Sequence, residues 1–162
     1  MKNTWLLSGM LTFILGVLTM NESHASVQTP LLDSEKQALA KSAAEVRLNA
    51  YAPYSKYYVG AALLTESGKI ITGCNVENAA YGSTICAERT AICKAVSDGE
   101  QTFRAVAISL KGAGSPCGSC RQVLNEFNPD MLVIMADVDG TIHRECTLAE
   151  LLPYAFGPQN LN

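Results

Sequence analysis

No lysine or arginine run appears in these 162 residues, and the formal net charge is −3. Tight binding to a polynucleotide needs a basic stripe to neutralise phosphates, so nucleic acid is not expected as a partner. Internal repeats and low-complexity tracts are also absent. No apolar run reaches the ~20 residues that cross a bilayer, so stable membrane association is not expected. Tryptophan occurs once, at position 5. Six cysteines, at 74, 86, 93, 117, 120 and 146, are too sparse for a disulfide scaffold, although an even number could still pair in an exported protein. What remains is an ordinary globular composition, 48% hydrophobic and 17% charged, in a length suited to one domain with a sizeable core.

The first 25 residues differ from the rest. One early lysine precedes an apolar run from Trp5 to Met20, and Ser23 and Ala25 form a small-x-small pattern before "SVQTP". This reads as a secretory leader cleaved after Ala25, or as an over-extended start with the true initiator at Met20. The domain proper is expected over 26–162.

Along that domain, "DSEKQALAKSAAEVRLNAYAP" predicts an amphipathic helix with Ser34 and Gln37 as a capping box, a stripe of Leu39, Ala43, Val46 and Ala50, and an end at Pro53. "YYVGAALLT" and "KIITGCNV" predict a hairpin around Glu66-Ser67-Gly68. "CAERTAICKAVSDG" predicts a helix closed by Gly99. "RAVAISL" and "MLVIMA" are continuous apolar runs, the mark of strands covered on both faces. Between them "CGSCRQVLNEF" predicts a helix, with Pro116 at its first position. Asp139-Gly140 predicts a two-residue turn into a last strand antiparallel to its predecessor, and "TLAELLPYAF" a short helix that breaks at Pro153. The order predicts an α/β fold, a three-layer α/β/α sandwich around a five-stranded mixed sheet.

The chemistry gathers at two helix starts. Cys117 and Cys120 are i and i+3 on one first turn, and Cys86 opens the preceding helix. Neighbouring helices on one face of the sheet would bring these N-termini together. Their partial positive charge favours thiolate, the form that binds metal. Three thiolates suit zinc and leave one coordination position open, as in catalytic sites. Glu88, two residues past Cys86, can reach a point just beyond the helix end without being a ligand, which suits a proton shuttle. Arg89 can donate to the sulfurs, or can equally be a solvated surface arginine. The ordinary alternatives are a buried helix cysteine for Cys86 and, for "PCGSC", a redox pair of an exported thiol oxidoreductase. That second reading leaves "CAE" unexplained and lacks the tryptophan expected before such a pair.

"CAE", a spacing of 31 residues from Cys86 to Cys117, and "PCGSC" together resemble the zinc-dependent nucleobase deaminases. "YAPYSKYYVGAALLTESGKIITGCNVENAAYGSTICAERTAICKAV", "SPCGSCRQVLNEF" and "LLPYAF" resemble the small homotetrameric cytidine deaminases, so the resemblance covers roughly residues 34–157. It implies hydrolytic deamination of cytidine and deoxycytidine to uridine and deoxyuridine with loss of ammonia, in pyrimidine salvage. It further implies one zinc per subunit on Cys86, Cys117 and Cys120, Glu88 as general acid/base, and backbone groups near Ala87 at the reacting carbon. Asn75 and Glu77 of "NVEN" would bind the ribose hydroxyls, and Tyr57 would stack on the base where phenylalanine is commoner. Tyr81 would lie near the sugar's 5′ end, and Phe156 would cap the base in a neighbouring subunit's site. Members generally lack a leader, so the domain is expected in the cytoplasm, and outside it only if 1–25 is translated and cleaved. A nucleotide enzyme would need a cation beside "NVEN", and none is there. Polynucleotide deaminases of the tRNA type use a parallel last strand. Blasticidin-like or modified-nucleoside deaminases remain the nearest alternative.

Overall fold

The structure, a computed structural model, describes residues 30–161, so the leader expected over 1–25 lies outside the described residues. Its elements run α1 (Asp33–Val46), β1 (Gly60–Thr65), β2 (Ile70–Cys74), α2 (Ala87–Ser97), β3 (Phe103–Ser109), α3 (Gly118–Asn125), β4 (Leu132–Ala136), β5 (Ile142–Thr147) and α4 (Leu148–Leu151). The sheet order is β2-β1-β3-β4-β5. Only β3 and β4 are parallel; β5 runs antiparallel to β4, as its tight turn requires.

The layers follow from the two faces of β1. Ala62 and Leu64 pack with Leu39 and Ala43 of α1 on one side. Ala61 and Leu63 pack with Ala91 and Ile92 of α2 and Leu124 of α3 on the other. The unbroken apolar runs of β3 and β4 are central strands, and β5 is a largely exposed edge. Burying each large apolar side chain contributes about 1.5–3 kcal/mol, so the mixed sheet and its helices are held from both faces.

Local chemistry sets the ends of these elements. Gly99 has φ +86° after α2, and its N–H and that of Glu100 return to Val96 and Ala95. Three expectations are corrected. The α1 helix starts at Asp33, where Glu35 accepts the Leu32 N–H at 2.7 Å, so Ser34 and Gln37 form no box. It stops at Val46 and passes into a short 3-10 turn, Arg47–Asn49, well before Pro53. In the β4–β5 turn Val138 and Asp139 are the central pair, since the Gly140 N–H returns to the Asp137 carbonyl at 3.0 Å and Gly140 follows with φ +86°.

Candidate active site

Both helices that approach the site from one face of the sheet begin at a cysteine. Cys86 caps α2 and Cys117 caps α3, each with extended backbone, and each carbonyl accepts the first helical N–H, from Thr90 and Arg121. Pro116 therefore precedes the cap and is not the first helical residue as expected; an N-cap residue needs an extended backbone, which the cysteine here supplies. Neither sulfur is spent on capping its own helix. Cys86 Sγ and Cys117 Sγ are 3.9 Å apart, and with Cys120 Sγ all three lie within 4.8 Å of one another.

That donor set fits zinc. Sulfurs at tetrahedral corners, each ~2.3 Å from a zinc ion, sit roughly 3.8 Å apart, close to the Cys86–Cys117 separation. Among the described residues this is the one group of three or more such side chains placed to hold a metal ion. All six cysteines are free thiols. Hydrogen bonds from Cys120, Arg89 and Cys117 hold the Cys86 thiol down to about 5, while the bond with Cys86 and burial push Cys120 up. Arg89 donates to the Thr84 carbonyl at 3.0 Å and reaches Cys86 Sγ at 3.8 Å, so it lies against the sulfur cluster and is no free surface arginine.

Glu88 is 4% exposed. Burial pushes its carboxyl above the usual carboxylate range, and the negative charge at Cys86 adds to the effect. Glu88 follows Cys86 and Ala87 directly in the first turn of α2, beside the sulfur cluster. With Cys86, Ala87 and Cys117 it lines one part of a cavity of about 490 Å³.

Tyr57, Asn75 and Glu77 line the same cavity. Asn75 and Glu77 lie just past β2, on either side of Val76, which bridges to Ile85 in extended conformation. That alternation puts both side chains on one face. Their partners were not expected. Asn75 Oδ1 accepts the Val59 N–H at 2.8 Å and Nδ2 donates to the Tyr57 carbonyl at 2.9 Å, leaving one N–H and one lone pair. Glu77 Oε2 accepts the N–H groups of Tyr54 and Ser55 at 2.9 and 3.2 Å, and Ser55 Oγ donates to Oε1. These donors hold the Glu77 carboxyl low, the Ser55 hydroxyl foremost. Both side chains thus brace the segment that carries Tyr57.

Tyr81 stands apart from that cavity, against Tyr54 in an edge-to-face pair 6.1 Å between centroids. Both line an adjoining hollow with Ser55, Glu77 and Thr84. Phe156 is 59% exposed and is not among the lining residues; its carbonyl accepts from Gln122 and Asn125 of α3. Sequence reasoning missed Ser55, Val59, Thr84, Leu110, Gly114 and Ser115, all of which line the main cavity. It also missed Arg121, which donates to Pro116, Leu151 and Ser115 and so fixes the approach to Cys117.

Residues 33–136 match the family described as the cytidine and deoxycytidylate deaminase zinc-binding region. A protein named cytidine deaminase from Sporosarcina psychrophila is 51% identical over 134 residues, 81% of this chain and 96% of its own. One of the same name from Halalkalibacterium halodurans is 47% identical over 131 residues, 79% of this chain and 98% of its own. Among solved structures, the cytidine deaminase of Burkholderia pseudomallei superposes with a TM-score of 0.70 at 45% identity, covering 74% of this chain and 97% of that one. That of Mycobacterium tuberculosis gives 0.67 at 38%, covering 78% and 99%.

Proposed function

This chain belongs to the cytidine and deoxycytidylate deaminases, and from that premise we propose that it converts cytidine and deoxycytidine to uridine and deoxyuridine with release of ammonia. One observation carries the reading: a single cavity, walled by Cys86 and Cys117 of the three-sulfur cluster and by the buried Glu88, extends to an amide and a second carboxylate suited to sugar hydroxyls.

Cys86, Cys117 and Cys120 would hold the zinc ion. Bound there, zinc supplies the Lewis acidity that makes water nucleophilic near neutral pH. Glu88 takes a proton from the attacking water and delivers it to N3 of the cytosine ring. As the C4–N4 bond breaks, Glu88 passes the second proton to the departing nitrogen, so water and cytidine become uridine and ammonia. Burial suits Glu88 to this traffic, because it raises the carboxyl's affinity for a proton above that of an ordinary carboxylate. Backbone groups at Ala87, in the first turn of α2, steady the ring as C4 becomes tetrahedral. Arg89 acts behind the site by holding Cys86 Sγ and the Thr84 carbonyl together.

Tyr57 stacks on the base, and Asn75 and Glu77 meet the ribose hydroxyls with the hydrogen-bonding capacity left to them. Tyr81 walls the hollow toward the 5′ end. The cavity's lining has no lysine or arginine, which disfavours a 5′-phosphate and supports a nucleoside substrate. The same reading gives a homotetramer in which Phe156 of one subunit closes the base end of another's cavity; its exposed ring supports this. Six free thiols suit a reducing compartment and a cytoplasmic domain over 26–162, working in pyrimidine salvage. Glu88→Gln tests the chemistry: it should retain one zinc per chain and lose nearly all turnover, and undiminished turnover would refute the role.

A further inference from the structure

We infer that Ser55 is a positioning residue that sets the one acceptor direction Glu77 leaves open for a nucleoside sugar; this rests on the proposed function. An ionised carboxylate offers about four lone-pair sites. Three are already taken at Glu77. Oε2 receives the N–H groups of Tyr54 and Ser55, and Oε1 receives the Ser55 hydroxyl. The remaining site is on Oε1, the oxygen that Ser55 holds.

The direction of the Ser55 proton is itself fixed. Ser55 Oγ accepts the Tyr57 N–H at 3.0 Å, so its own hydrogen is free to point at Glu77. The hydroxyl therefore links the residue that faces the base to the carboxylate that faces the sugar. Ser55 also lines both the main cavity and the adjoining hollow, as Glu77 and Thr84 do. The neighbouring Lys56 has φ +57°, so the chain turns sharply between Ser55 and Tyr57; the Ser55 N–H donates to Glu77 on one side of that turn, and Asn75 donates to the Tyr57 carbonyl on the other. Without the hydroxyl, Oε1 can swing, and the sugar loses an acceptor of defined direction.

The test compares cytidine with 2′,3′-dideoxycytidine, which lacks both hydroxyls, on the zinc-loaded full chain. In Ser55→Ala the KM for cytidine should rise roughly ten- to a hundred-fold, the range spanned by losing a hydrogen bond to a charged group. Turnover at saturation should hold, and kcat/KM for the dideoxy nucleoside should change little, so the ratio of the two collapses. Ser55→Thr should restore it. If Ser55→Ala does not fold, Ser55→Cys replaces the strong donor with a weak one at similar size, and the ratio should fall in the same sense. Equal losses on both nucleosides, or an unchanged ratio in a wild type that deaminates cytidine, overturn the inference alone. A wild type that leaves both nucleosides untouched overturns the proposed function and the inference with it.

Discussion

A methyl group placed at Gly73, under α2 and away from any reacting atom, should disable the enzyme. A Cβ there would lie 2.4 Å from the Ala91 nitrogen and 2.7 Å from the Ala87 carbonyl oxygen. Ordinary contact begins near 3.4 Å, so Gly73→Ala requires α2 to retreat by about 1 Å. Both obstacles are helix backbone, and no side-chain rotation relieves them. Overpacking of this kind costs about 1–3 kcal/mol in stability. The catalytic cost should be larger in proportion. Ala87 and Ala91 belong to the first turns of α2, which carry Cys86 at the cap and Glu88 next to Ala87. Misplacing reacting groups by ~1 Å costs on the order of a hundredfold in rate. Steady-state kinetics on cytidine, with zinc content and melting temperature measured in parallel, should show kcat down about a hundredfold in a chain that still melts cooperatively. Wild-type kcat in folded, zinc-loaded Gly73→Ala would refute the claim that strand-to-helix contact sets the geometry of the site.

Other consequences follow from the same contacts. Gly99 has φ +86° and open space around a would-be Cβ, so Gly99→Ala should cost only the left-handed strain, about 1 kcal/mol. Its melting temperature should fall roughly 2–4 °C with kcat unchanged; an unchanged melting temperature would contradict the cap's role. The Glu100 carboxylate pairs with Lys69 at 2.7 Å and accepts from Ser67, which holds its carboxyl below the usual 4.5. A depressed folded value gives stability that is present above pH ~4.5 and lost as pH falls through the lower folded value. Melting curves of wild type and Glu100→Gln should therefore differ at pH 6 and draw together as pH falls below 4.5, and the gap at pH 6 should shrink in high salt. A gap that widens on acidification would sink this reading.

The fold was legible wherever one residue type dictates backbone or burial. The apolar runs of β3 and β4 could only be central strands, and Gly68 and Gly99 marked turns that need positive φ. Cys117 and Cys120 were legible from i, i+3 spacing at one helix start, and Cys86 joined them once the order of elements put both helices on one face of the sheet. Less visible was anything that depends on which backbone donors a bend delivers. Asn75 and Glu77 were readable as polar groups on one face, but not as braces for residues 54–59, since those N–H groups reach them only through the turn at Lys56. Arg121 has the same character: its three partners lie on the loop before α3 and on α4, and no spacing rule links them. Leu110, Gly114 and Ser115 reach the cavity because the loop leaving β3 is tied to β4, by Leu110 to the Ala136 carbonyl and by Ser109 to that of Asp137. The Asp139-Gly140 pair misled because glycine serves a two-residue turn and a turn followed by a bulge equally well.

The most direct test of the account is to incubate the purified, zinc-loaded chain with cytidine and to follow uridine and ammonia together. The account predicts their appearance in equal amounts, loss of both on chelation, and recovery when zinc is restored. A folded chain that holds zinc and leaves both cytidine and deoxycytidine unchanged would contradict it.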